Sequence, residues 1–158
     1  KSNSTFTREE DIYEDALQWY KMANRISDSS SLIIYGEEFG SGPAAWIAGN
    51  QQADLIVLDS PYYSWNKIML RKYFWWLPHT YLTQYTIPVW EFIRKSTNRI
   101  VLVHATDSKN IKYSNSLDLL EFLKPGDELI TIESSKIDQN SESFKNNMEK
   151  VLHQMQNP

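Results

Sequence analysis

The chain has 158 residues, 41% of them hydrophobic and 23% charged, which is the balance of a soluble globular protein with a core of its own. Sixteen basic residues against twenty acidic ones give a formal net charge of -4, and no basic stripe is present, so nucleic acid is excluded as a natural partner. The absence of cysteine excludes disulfides and thiolate metal sites, and no apolar run approaches the ~20 residues of a membrane span.

In chain order, Thr7-Arg8-Glu9-Glu10 reads as a capping box, with Thr7 as N-cap and Glu10 three residues on. Ile12, Ala16, Trp19, Tyr20 and Ala23 follow at helical spacing and predict one amphipathic helix. Asp28 to Ser31 is a loop. Leu32 to Tyr35, bounded by Gly36, predicts a buried strand, and Pro43 suits the first turn of the helix after it. Leu55 to Leu58, Ile100 to Val103 and Leu129 to Ile132 predict three more buried strands. A helix is predicted around Ser116 to Leu123, closed by Lys124-Pro125-Gly126. A last helix is predicted with Phe144, Met148, Val151, Leu152 and Met155 on one face. Continuous apolar strands alternating with helices predict an α/β fold, a parallel sheet flanked by helices and wound in one (partial) domain over 1–158. Right-handed crossovers make its four strands consecutive neighbours.

The stretch at about 61–96 is crowded with aromatic residues and is too long for an ordinary strand-to-helix connection. It predicts an excursion of short helices over one end of the sheet. One reading is a crossover that packs on the domain. The sharper reading makes it one wall of a pocket, with Tyr62, Tyr63 and Trp65 beside Glu37 and Phe39 as binding residues.

The segment Ile33 to Gly42 joins a strand to a helix through Gly36-x-Glu38-x-Gly40. At the apex of such a turn φ is positive, and glycines two positions away are expected to relieve collisions. The chain resembles the α/β-hydrolase superfamily, in particular serine hydrolases of the dipeptidyl-peptidase-like kind, on four landmarks. They are Ile33-Ile34-Tyr35-Gly36-Glu37-Glu38-Phe39-Gly40-Ser41-Gly42, Leu58-Asp59-Ser60-Pro61-Tyr62-Tyr63-Ser64, the run from His104-Ala105-Thr106-Asp107 to Tyr113, and Ile132-Glu133-Ser134. The resemblance implies the C-terminal half of that fold. It also implies that the earlier strands and the second oxyanion-hole loop lie outside this chain.

Carried over residue by residue, the nucleophile position falls on Glu38, the acid position on Ser108 and the histidine position on Ile137. Asp107 stands one residue early. All three catalytic side chains are thus replaced, and isoleucine cannot move protons. His79, His104 and His153 read as structural or solvated. Glu37, Glu38 and Asp107 lack metal-ligand spacing, and carboxylates at a helix start are favoured by the helix dipole.

The resemblance implies a catalytically degenerate hydrolase-like protein binding a small acyl or ester-like ligand or a protein partner, with no cofactor and no metal. The alternatives are an active serine hydrolase whose catalytic residues lie elsewhere, and a purely structural subunit. The first strand would be a bare edge, expecting either a missing N-terminal half or a homodimer partner. The compartment is left open, with the cytoplasm slightly favoured.

Overall fold

The computed structural model describes residues 8–26, 32–73, 85–133 and 149. Expectations for Thr7, Ile137, His79, His153, the aromatic residues of 74–84 and the closing helix lie outside the described residues. Helix α1 (Glu9–Ile26) leads into strand β1 (Ile33–Glu37), a short 3-10 turn (Glu38–Gly40) and helix α2 (Ser41–Asn50). Strand β2 (Leu55–Asp59), helices α3 (Trp65–Tyr73) and α4 (Val89–Lys95) and strand β3 (Ile100–Ala105) follow. Helix α5 (Ser114–Leu119) runs into a 3-10 turn (Leu120–Phe122) before strand β4 (Glu128–Ile132). The four strands are parallel and lie in the order β1-β2-β3-β4, the consecutive arrangement expected.

The apolar strand runs explain the two buried faces. Ile56, Leu58, Ile100 and Leu102 point to one side, where they meet Ala44, Ala45 and Ala48 of α2, Phe92 and Ile93 of α4, and Ile12 of α1. Leu55, Val57, Val101 and Val103 point to the other, against Ile130 and Ile132. None of these eight β2 and β3 side chains is more than 7% exposed. Each contributes about 1.5–3 kcal/mol by leaving water. Strand β1 departs from the expectation of a buried strand. Among the described residues it pairs on one side only, so Ile33 and Tyr35 remain 41% and 40% exposed. Trp19, on the predicted inner face of α1, is likewise exposed for 57% of its surface.

Local chemistry sets the element ends. Helix α1 begins at Glu9, and Asp11 accepts the backbone N–H of Arg8 at 3.0 Å. Asp11 thus closes back on the helix start, while the expected pairing of Thr7 with Glu10 lies outside the described residues. Helix α5 ends at Leu119, four residues before the expected Leu123, because the chain tightens into 3-10 geometry from Leu120.

Two polar residues, the buried Asn98 and the partly buried Glu9, hold long connections. Asn98 donates to the carbonyls of Ala48 (2.6 Å) and Gln51 (2.8 Å) and accepts the N–H of Ala53 (2.8 Å), pinning the end of α2 to the approach of β3. Glu9 accepts the backbone N–H groups of Thr86 (2.5 Å) and Ile87 (3.2 Å), and the Tyr13 hydroxyl donates to the same carboxylate. Ile87 has φ 33, an uncomfortable value for a β-branched residue, and Glu9 secures that backbone from the far end of α1.

His104, the penultimate residue of β3, is fully buried. Its Nε2 lies 2.8 Å from the carbonyl of Ile111 and its Nδ1 2.7 Å from the Ser116 hydroxyl. Since a carbonyl only accepts, Nε2 carries the proton and Nδ1 accepts from Ser116. The neutral ring clips the 106–113 loop to α5, as the structural reading of His104 requires. Burial, the largest influence, lowers its pKa below 6.5, against a smaller raising effect from the Ile111 carbonyl.

Close packing of β1 on α2 depends on Gly36. A Cβ there would lie 2.5 Å from the Gly40 carbonyl oxygen and 2.6 Å from the Ala44 Cβ. Gly40, expected to be equally constrained, has nothing within 4 Å of such a Cβ and an ordinary φ of -63.

Gly36→Ala should therefore cost about 2 kcal/mol or more of unfolding free energy by urea titration, the scale of an overpacked core. Gly40→Ala should be neutral within ~0.5 kcal/mol, and equal losses at the two positions would contradict this packing. For His104, NMR titration of the imidazole should give a midpoint below the ordinary 6.5. The stability that the neutral ring contributes is complete above pH 6.5 and is lost as pH falls through the lowered folded value. A midpoint at or above 6.5 would refute the neutral clip.

Candidate functional site

The C-terminal ends of the parallel strands are where open α/β sheets gather their ligands, and the β1-to-α2 turn stands there. Glu37 closes the strand in extended geometry (φ -109), and Glu38 turns over with φ 45. A non-glycine residue at this φ is strained, and its surroundings hold it. The Ser41 hydroxyl donates to the Glu38 carbonyl at 2.6 Å, and the buried Tyr62 hydroxyl donates to the Phe39 carbonyl at 3.2 Å. Gly42 makes room for that tyrosine, since a Cβ on Gly42 would sit 2.0 Å from the Tyr62 oxygen. The Glu38 carboxylate then lies at the start of the 10-residue α2, where the helix dipole favours negative charge.

The side chain that meets Glu38 comes from the loop after β3. Asn110 donates its amide to Glu38 Oε1 at 2.8 Å. Ser108, at the acid position implied by the resemblance, sits in the same loop and donates its backbone N–H to the Ala105 carbonyl at 3.2 Å. Ile137 lies outside the described residues. His104 spends both ring nitrogens on the loop clip and has none to offer the turn. Asn110 carries no motif of its own, and its only sequence clue is its place on the loop that also carries Ser108.

The neighbouring strand end is acidic. Glu37 and Asp59 are register partners at the tips of β1 and β2. Asp59 accepts the hydroxyls of Tyr35 (2.8 Å) and Ser60 (2.9 Å). Partial burial, then the charges of Asp59 and Glu38, raise the Glu37 pKa above its usual carboxylate value. Among the described residues no group of three His, Cys, Asp or Glu side chains is placed to hold a metal ion.

The five residues read as binding residues separate into two places. Phe39 meets Trp65 edge-on at 4.7 Å, and Trp65 meets Tyr62 at 5.2 Å, so these three form an aromatic cluster next to Glu37 and Glu38. Within it Tyr62 is fully buried and Phe39 is 39% exposed. Tyr63 faces elsewhere. It stacks on Trp90 at 6.0 Å, leans on Phe122 at 6.2 Å and carries the Lys67 ammonium 4.4 Å above its ring.

No family model matches the sequence. Among solved structures, an esterase of Pyrococcus furiosus aligns with a TM-score of 0.69 at 17% identity, over 98% of this chain and 63% of its own. The esterase domain of a Rhodothermus marinus protein gives 0.67 at 11% identity, over 89% of this chain and 65% of its own. The uncomplexed acylaminoacyl peptidase of Pyrococcus horikoshii gives 0.70 at 12% identity, over 93% of this chain and 28% of its own. The chain thus spans less than two thirds of the length of each of these structures. Identities this low speak for the fold and leave activity aside. With its consecutive four-stranded parallel sheet and flanking helices superposing on these proteins, the chain has the α/β-hydrolase fold, in a C-terminal-like portion of it.

Proposed function

We propose that the chain is a catalytically silent α/β-hydrolase-like protein that binds a small acyl or ester-like ligand at the C-terminal end of its sheet. The observation that carries this reading is the apex of the β1-to-α2 turn. A serine hydrolase needs a hydroxyl there and an imidazole to take its proton. The apex here holds the Glu38 carboxylate, bound by the Asn110 amide at 2.8 Å. An amide neither accepts nor delivers a proton on the catalytic timescale, and the positions implied for the acid and the histidine hold Ser108 and Ile137. Phe39 and Trp65 beside the apex supply apolar surface for an acyl group.

A second reading, an active esterase-like or peptidase-like hydrolase, draws support from the names of the structural neighbours: esterases, acylaminoacyl peptidase and lipase. It requires a nucleophile and base outside the three positions named above. Incubation with p-nitrophenyl acetate and a fluorophosphonate probe separates the two. The silent reading expects no turnover above buffer and no covalent label, and Glu38→Ser should leave both unchanged because the base is still missing. Labelling of a serine in the folded protein would overturn it.

The same reading places a partner on the open edge of β1. Trp19, Met22 and Ile26 of α1 are 57%, 54% and 70% exposed. A groove of ≈ 350 Å³ runs between α1, β1 and the start of α2, lined by Tyr20, Ala23, Ile33 and Pro43 among others. A strand from a further part of the polypeptide fits this edge best, given how much longer the matched structures are. Sedimentation velocity on the 158-residue chain alone should then show self-association through the uncovered edge. Purely monomeric behaviour at ~50 μM, above the micromolar affinities usual for weak protein contacts, would contradict it.

A further inference from the structure

A second concavity lies at the same end of the sheet, between α3 and the loop joining β3 to α5. Its volume is ≈ 270 Å³, close to the lower bound of about 300 Å³ for small-molecule sites. It is lined by Ile68, Arg71, Lys109, Asn110, Lys112 and Asn115. Three cations from two separate segments therefore converge on one pocket in a chain whose net charge is -4. No carboxylate lines it among the described residues. None of the three takes part in the ion pairs among the described residues, which use Arg8, Lys67, Lys95, Arg99 and Lys124 instead. Glu38, a negative charge of the turn, lies outside the lining and accepts the hydrogen bond from the Asn110 amide already described. Asp107 stands earlier in the same loop, outside the lining.

We infer that this pocket binds a small oxyanion, a carboxylate or phosphate monoester, whose short apolar tail lies on Ile68. Uncompensated like charges at close range repel one another, and an anion removes that cost while gaining attraction from all three. Arg71 offers a planar fork that matches an oxyanion bidentately, and the two lysines supply point charges around it. The buried Asn115 fixes the wall. It donates to the Lys112 carbonyl at 2.9 Å and accepts the Tyr63 N–H at 3.2 Å, which leaves the cations themselves to make the contacts. The inference rests on the proposed function only in placing ligand binding at this end of the sheet, and it holds whether or not any bond is hydrolysed.

The test is an NMR titration of the ¹⁵N-labelled full chain with n-butyl phosphate, with butyrate and with neutral butyramide, at low and at physiological salt. The expected result is saturable shifts confined to 68–71 and 109–115 with at least one anion, weakened several-fold by the added salt, and no response to butyramide. The anion that binds more tightly identifies the class. Lys109→Glu with Lys112→Glu, and separately Arg71→Glu, should each weaken binding at least about tenfold. All three side chains are exposed, so the variants should keep the parent circular dichroism. No saturable shift with either anion, an equal response to butyramide, or unchanged binding in both variants would overturn the inference. Ester hydrolysis measured on the same sample separates the two readings. Turnover with retained anion binding defeats only the silent-hydrolase reading, and no turnover with no anion binding defeats only this one.

Discussion

The contact on which the rest depends is the approach of Gly36 to the start of α2. With no side chain at Gly36, the backbone of β1 comes within van der Waals range of the Gly40 carbonyl and the Ala44 methyl. The chain then has one residue in which to leave the sheet and enter the helix. That residue is Glu38, and its positive φ is the geometric consequence. Everything at this end of the sheet is placed by that reversal. The N-terminus of α2 lies beneath the carboxylate, Phe39 is thrown toward Trp65, and Tyr62 closes over the space left by Gly42.

A turn of this kind costs of order 1–3 kcal/mol of backbone strain, kept only where surrounding contacts over-determine it. In an acyl-transfer enzyme the cost positions a reactive hydroxyl. Here the apex side chain is an acceptor satisfied by an amide, and the one described imidazole is consumed in holding a loop. Among the described residues, then, no imidazole is placed to serve the strained turn. The surrounding features suit recognition: an apolar aromatic edge beside the turn and, in the neighbouring pocket, three cations with no ion-pair partner among the described residues.

Much of the fold could be read from the sequence because parallel strands buried on both faces write themselves as unbroken apolar runs. Leu55–Leu58 and Ile100–Val103 are such runs, and their neighbours in the sheet follow from crossover handedness. The sign of φ at Glu38 was legible too, since the spacing of Gly36 and the helix behind it leave little choice. Long-range polar pairs were not. Glu9 meets Ile87 and Asn110 meets Glu38 across 78 and 72 residues, and nothing local marks either partner. Tyr62 and Tyr63 show a subtler limit. They are chain neighbours of the same type, yet one is buried under α2 and the other stacks on Trp90. Gly40 misled for the opposite reason, since a glycine at the expected spacing carries no record of whether its missing Cβ was needed. Ile33, Tyr35 and Trp19 read as core because an apolar residue looks the same whether it is covered or awaits a cover.

The most direct test of the proposal that this turn stands without a proton relay is a high-resolution crystal structure of the protein, read at the apex and the loop facing it. The predicted density has Glu38 in the left-handed region with its carboxylate on Asn110, and His104 bound to Ile111 and Ser116. Density placing Glu38 in ordinary helical geometry, or an imidazole within hydrogen-bonding reach of a serine hydroxyl at this end of the sheet, would contradict it.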